Sequence, residues 1–279
     1  MAKKQHFILP KWLQFSIIYI FASSMLVDTH THLYADEFNA DRKQIIEQAI
    51  NRGVKRMYLP NIDSSSIVAL FNLEKDFPEN CFPMMGLHPC SVNNKYSDEL
   101  KVVEHWLQKK KFYALGEIGI DLYWDKTFLN QQKDAFKRQI EMAKKYKLPI
   151  VIHTRNSFNE VYEIVKVMNN ENLKGIFHCF SGTNEDAEKI ISLGGFKMGI
   201  GGVLTFKNSG LDKVVEQIDM KHLVLETDSP YLAPVPHRGK RNESSYIKLV
   251  AEKLAEIKNI SIETVAEITT KNALEIFGN

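Results

Sequence analysis

Four histidines and two carboxylates carry the chemistry that this chain can do. The run Val27-Asp28-Thr29-His30-Thr31-His32-Leu33 reads as a short β-strand that ends in two histidines one residue apart. Side chains alternate faces along a strand, so His30 and His32 are expected to point the same way. Two adjacent imidazoles can chelate one metal ion. An H-x-H pair alone is a weak signal, and it reads more readily as exposed or capping histidines. Weight comes from Glu117, His153, His178 and Asp228, each at or near the end of a later apolar run. Neutral imidazole with carboxylate suits zinc, manganese, iron and related divalent ions. Six such groups exceed the needs of one catalytic ion, which keeps an open position. They suffice for two ions that share a bridging carboxylate and a water, which acidifies the water and clamps the attacking and leaving oxygens.

Each residue also has a plainer reading. His153 or His178 alone is satisfied as a core histidine bonded to backbone, and Asp228 can cap the turn before Pro230. Glu117 is harder to dismiss. It lies between Gly116 and Ile118 in an apolar run, and a buried carboxylate without a cation or donor is costly. Six coincidences at the same end of successive strands favour a shared site.

Such a site needs a scaffold that brings strand ends together. Apolar runs alternate with helical spacing along the whole chain after residue 25. The strands are expected at Val27–Leu33, Arg56–Pro60, Phe82–Leu87, Tyr113–Asp121, Leu148–His153, Lys174–His178, Phe196–Gly201 and His222–Asp228. Helices are expected between them, for example from Asp41 to Arg52, where Ile45, Ile46, Ala49 and Ile50 share a face. Two more close the chain, Asn242–Lys258 and Ile262–Phe277. Continuous apolar strands joined by helices mean a parallel sheet buried on both faces. Eight units predict a closed (β/α)8 TIM barrel, a single domain over residues 25–279, with chemistry at the C-terminal ends of the strands.

Composition agrees. At 279 residues the chain fits one such barrel, and 44% hydrophobic content supports a large core. Three scattered cysteines, Cys81, Cys90 and Cys179, give no disulfide framework and point to a reducing, cytoplasmic compartment. The first 24 residues differ: Lys3, Lys4 and Lys11 stand without an acid, followed by an apolar run from Phe15 to Ala22. That run is too short to span a membrane, so the segment reads as an extension outside the domain rather than a true export signal. With a formal net charge of +2 and three positive charges in this segment, the remaining body carries −1. A near-neutral body argues against broad polyanion binding, so a nucleic-acid partner would need a local basic patch.

Seven runs carry a resemblance: Val27–Leu33, Gly86-Leu87-His88-Pro89, Gly116-Glu117-Ile118-Gly119-Ile120-Asp121, Val151–Arg155, Phe177–Gly182, Glu226–Tyr231 and Arg238–Asn242. Together they resemble the TatD family of metal-dependent deoxyribonucleases, over residues 25–279. The resemblance implies an amidohydrolase-like barrel with two divalent ions, Mg, Mn or Zn. It implies that His30, His32, Glu117 and Asp228 hold one ion, that Glu117, His153 and His178 hold the second, and that Asp228 acts as base. Two departures touch no expected ligand: Cys90 stands where many relatives have another histidine, and Ser244 where they have proline.

The loop Pro236–Arg241 follows the eighth strand, and its Arg238, Lys240 and Arg241 are expected to bind phosphate, as are Arg155 and His88. Tyr123, Trp124 and Phe180 are available to stack on unpaired bases or to pack beneath loops. The expected activity is therefore phosphodiester hydrolysis at DNA ends by a monomer. Action on single strands from the 3′ side follows from the resemblance alone. An amidohydrolase-type enzyme for a small amide or ester is the alternative, and the basic loop argues against it. A silent nucleic-acid-binding protein is a third, and the intact six-residue set argues against that.

Overall fold

The computed structural model describes residues 25–278, so the expected extension over 1–24 lies outside the described residues. Eight parallel strands alternate with helices. They are β1 (Leu26–Asp28), β2 (Val54–Leu59), β3 (Cys81–Pro83), β4 (Leu115–Asp121), β5 (Ile150–Arg155), β6 (Gly175–Phe177), β7 (Phe196–Ile200) and β8 (Leu223–Leu225). Regular ladders join β1-β2-β3 and β4-β5-β6-β7-β8. Met85 bridges to Leu115 across the first seam. Thr29 N donates to Leu225 O at 3.1 Å across the second, so the cylinder closes. This is the (β/α)8 barrel that the alternation predicts.

The helices are α1 (Arg42–Asn51), α2 (Ile67–Asp76), α3 (Tyr96–Lys109), α4 (Leu129–Tyr146), α5 (Phe158–Met168), α6 (Asn184–Ser192), α7 (Leu211–Gln217), α8 (Ile247–Lys258) and α9 (Ile262–Phe277). Local chemistry sets their ends. Thr183 and Asp186 form a reciprocal capping box on α6, and Ser261 Oγ accepts from Thr264 N on α9. Lys147 and Asn259 end α4 and α8 in the left-handed conformation. Among the described residues no helix is long and apolar enough to cross a membrane.

Two layers of core result. Val27, Tyr58, Met84, Ala114, Val151, Ile176 and Val224 fill the barrel interior. The larger layer lies between the strands and the helices, with Ile46, Leu70, Phe136, Ile140 and Leu254 fully buried. At the N-terminal end of the barrel Phe277 stacks on Tyr58 with centroids 3.8 Å apart, and plugs the floor. Thr270 Oγ1 donates to Met25 O at 2.7 Å and Asn272 Nδ2 to Leu223 O at 2.7 Å, tying α9 to the first and last strands.

Several boundaries differ from those expected. The regular part of β1 ends at Asp28, so His30 and His32 lie beyond it. The chain stays held on both sides there, by Thr31 N to Tyr58 O at 3.1 Å and His32 N to Ser229 O at 2.8 Å. The ladder of β8 likewise ends at Leu225, because the chain must swing Asp228 over the mouth, where its φ is 54°. The ladder of β3 stops at Pro83, short of Leu87. Asn242 does not start a helix. Its Nδ2 donates to Thr227 O at 2.7 Å, and α8 begins only at Ile247 after a 3-10 turn over Ser244–Tyr246.

Candidate active site

All six predicted groups meet in one cup at the C-terminal ends of the strands, built around Glu117. This carboxylate rises from β4 and is almost fully buried. Its Oε2 stands 3.1 Å from His30 Nε2 and 3.6 Å from His32 Nε2. Its Oε1 stands 2.7 Å from both His153 Nδ1 and His178 Nε2. Each oxygen thus faces one pair of histidines. Asp228 Oδ1 closes the first side, 3.7 Å from His30 Nε2 and 3.6 Å from His32 Nε2. The His30 and His178 rings stack at 3.9 Å, which packs the two sides together.

Two glycines make the cup possible. A Cβ on Gly119, whose φ is +149°, would lie 2.1 Å from His153 O, so only glycine lets β5 pass there. A Cβ on Gly199 would lie 2.0 Å from Glu226 Oε2, so glycine leaves room for that buried acid.

Three outer groups set the histidine tautomers, and sequence reasoning gave none of them a role. Tyr34 Oη donates to Pro60 O at 2.6 Å, leaving its oxygen to accept from His32 Nδ1 at 2.9 Å. His32 Nε2 then turns a lone pair into the cup. Asp121 Oδ2 lies 2.9 Å from His153 Nε2, and a carboxylate only accepts, so His153 Nδ1 turns a lone pair inward. Glu226 Oε1 lies 3.6 Å from His178 Nδ1, past hydrogen-bond length, and draws the proton to that side electrostatically. The legible signal for Asp121 and Glu226 is an acid at the very end of an apolar strand, the same signal that marks Asp228.

Electrostatics follow from this crowding. Burial raises the Glu117 pKa, but the imidazoles around it, His178 foremost, outweigh burial and hold the carboxyl well below its ordinary range. Burial lowers the His178 pKa, yet the Glu117 charge carries it well above the ordinary value. Burial also works against His153, but hydrogen bonds to Asp121 and Glu117 raise it overall. Burial followed by the His178 charge lowers His30. Asp228 is held low because its His32 hydrogen bond and the neighbouring imidazoles outweigh burial. Burial would raise Asp121 too, but His153 and the Tyr123 and Trp124 amides bring its pKa to about 2.

The donor set fits divalent cations. Lone pairs from His32 and His153 converge with carboxylate oxygens at 2.7 to 3.6 Å, a cluster that needs positive charge between its members. Glu117 with His30 and His32 forms one group close enough to hold an ion, and His30 with His178 and Asp228 another.

The expected phosphate-binding residues divide. Arg155, at the end of β5, is exposed and lies over the Tyr123 ring at 3.8 Å. Arg238 and Lys240 are exposed, with Arg238 over Phe206 at 4.4 Å. Arg241 is spent elsewhere: its fork binds Asp41 at 2.9 and 2.7 Å and Glu37 O at 2.6 Å. The expectation had these donors free to meet phosphate; in the structure they hold the loop to the start of α1. Tyr123 and Trp124 are exposed at 52% and 70%, as stacking requires, but Phe180 is buried at 5% and packs beneath the loop. His88 stands at the edge of the cup, Nε2 3.5 Å from Glu117 Oε1.

A closed parallel barrel whose mouth holds buried histidines around one carboxylate defines a metal-dependent hydrolase. The chain belongs to the TatD family: the model described as TatD related DNase matches residues 27–278. It is 38% identical over 254 residues to the metal-dependent hydrolase YabD of Bacillus subtilis, covering 91% of this chain and 99% of that one. It is 30% identical over 258 residues to the metal-dependent hydrolase YcfH of Escherichia coli, covering 90% and 95%. The crystal structure of YjjV, a TatD homologue from E. coli, superposes with a TM-score of 0.86 at 25% identity, over 92% of this chain and 99% of that one.

Proposed function

We propose that this protein is a deoxyribonuclease that hydrolyses phosphodiester bonds at DNA ends, taking single strands from the 3′ side as a monomer in the cytoplasm. The observation that carries the reading is Glu117, whose two oxygens each face a different pair of histidines. In this reading His30, His32, Asp228 and Glu117 hold one divalent ion, and Glu117, His153 and His178 hold a second, with Mg, Mn or Zn as candidates. Ions in such a cup supply Lewis-acid polarisation of a phosphoryl oxygen and make water more acidic.

The chain's own groups do the rest. Arg155, Arg238 and Lys240 draw the phosphate backbone to the mouth. Tyr123 and Trp124 offer rings to unpaired bases, which a duplex end does not present. Tyr231, half-exposed with its ring 6.1 Å from that of His32, offers another beside the cup. Asp228, ionised at neutral pH, accepts the proton of the attacking water as the oxygen–phosphorus bond forms. It then returns that proton to the departing sugar oxygen as the second bond breaks.

The test uses purified full chain with Mg, Mn or Zn added singly, and 3′- and 5′-labelled single-stranded and duplex DNA. Chelator-sensitive release of mononucleotides from single-stranded 3′ ends supports the reading. Absence of cleavage with every metal, alongside turnover of small esters or amides, would overturn it.

A further inference from the structure

Five histidines face Glu117, but one carries its proton the other way. His88 leads a Pro89–Ser91 3-10 turn, and its Nδ1 accepts from Cys90 N at 3.0 Å. A neutral imidazole has one N–H, so His88 carries it on Nε2, the nitrogen that faces the cup. His32 and His153 are tied from outside and turn lone pairs inward; His88 turns a donor inward. His88 N donates to Ile62 O at 2.8 Å, and the His88 and His153 rings meet in a T-shaped contact with centroids 4.7 Å apart, so backbone and ring are both held. Glu117 Oε1 does not satisfy this donor. At 3.5 Å it is too distant for a good hydrogen bond, and it is crowded by His153 Nδ1 and His178 Nε2 at 2.7 Å each.

We infer that His88 is not a metal ligand but donates its Nε2–H to a non-bridging phosphoryl oxygen of the substrate. The inference rests on the phosphodiesterase reading above. It separates His88 from the other groups although His88, Glu117 and His153 stand close enough together to suggest a third ion site. A metal needs a lone pair, and the Cys90 amide has claimed the one His88 has. A fixed N–H at the wall of the cup matches an anionic oxygen whose charge grows as water attacks. Losing one such preorganised donor costs about 10²- to 10³-fold in kcat.

Two variants separate the donor from the turn. His88→Asn keeps an oxygen that can accept from Cys90 N and loses the inward donor. His88→Gln places an amide N–H near the Nε2 position and loses the cap. Rate should follow the donor: Asn falls about 10²-fold in kcat, while Gln recovers most of that loss whatever its melting temperature. Metal content by elemental analysis should stay at the parent value in both. Long-range 15N–1H correlation spectra of the Zn-loaded full chain should show His88 as the Nε2–H tautomer. Loss of an ion from His88→Asn, or an Nδ1–H signal for His88, would make it a ligand and overturn the inference. A rate that follows the cap would overturn it as well. If the parent cleaves no phosphodiester, the function reading falls, and the spectra and metal content still decide the tautomer and ligand status of His88.

Discussion

Replacing Asp121 with Asn should cost metal affinity while leaving the local backbone in place. Asp121 Oδ1 accepts from Tyr123 N at 2.8 Å and Trp124 N at 3.2 Å, and an Asn oxygen can keep both bonds. The amide nitrogen must then take the place of Oδ2, 2.9 Å from His153 Nε2. That nitrogen donates where the carboxylate accepted, so His153 gives up its Nε2 proton and carries one on Nδ1 instead. The new N–H points at Glu117 Oε1 and removes the lone pair from the cup. Losing an outer partner of this kind lowers metal affinity about 10- to 100-fold, or ~1.4–2.7 kcal/mol. Competition against a chromophoric chelator at pH 7.5 measures it.

An acid arm checks the cause. The folded-state pKa of Asp121 is about 2, against 3.8 as the ordinary value. The pKa is depressed, so the carboxylate stabilises the fold above pH 3.8, and that contribution is lost as pH falls through 2. It amounts to ~2 kcal/mol. Metal-free Asp121→Asn should therefore unfold more easily than the parent at pH 6, with the gap closing toward pH 2. Parental metal affinity, with a gap that ignores pH, would refute the tautomer argument.

The remaining expectations are simpler. Asp228→Asn keeps its shape but cannot take a proton, so single-turnover cleavage should fall about 10²- to 10⁴-fold with little change in melting temperature. Arg241→Ala should lose about 1 kcal/mol of stability, the scale of a partly exposed bidentate pair, and leave the salt dependence of DNA binding unchanged. Arg238→Ala with Lys240→Ala should do the reverse, flattening the salt slope by about 0.7 per lost single-strand contact. His153 and His178 have raised pKa values and must shed protons to bind metal, so apparent affinity should climb from pH 6 to pH 8 in isothermal titration. A chain beginning at Met25 should fold and cleave as the parent does, checked by circular dichroism and the same DNA assay.

Much of the site was legible because its members are unusual where they stand. A carboxylate in an apolar strand has little structural use there, so Glu117 stood out without coordinates, while His153 and His178 gained weight only from ending strands at the same side. The H-x-H pair converged for a different reason from the one its spacing suggested. Strand alternation ends at Asp28, and bonds to Tyr58 O and Ser229 O from neighbouring segments hold the histidines. Such partners lie 27 and 197 positions away and leave no local periodicity. The pairing of Arg241 was hidden on the same ground: its match, Asp41, is distant in sequence, and a basic loop reads alike whether its charges are free or paired. Tautomers were beyond reach altogether, since which nitrogen of His88 or His153 holds a proton depends on Cys90 N and Asp121 across a few ångströms.

The seam between the first and last strands sets when the six side chains of the cup can come together. His30 is made among the first residues of the barrel and Asp228 near its end, and Thr29 meets Leu225 across 196 positions. The floor waits longer, for Phe277 to reach Tyr58. Contacts so distant in sequence form late, because the loop they close must be paid for first. A nascent chain still on the ribosome therefore presents scattered histidines rather than a cup.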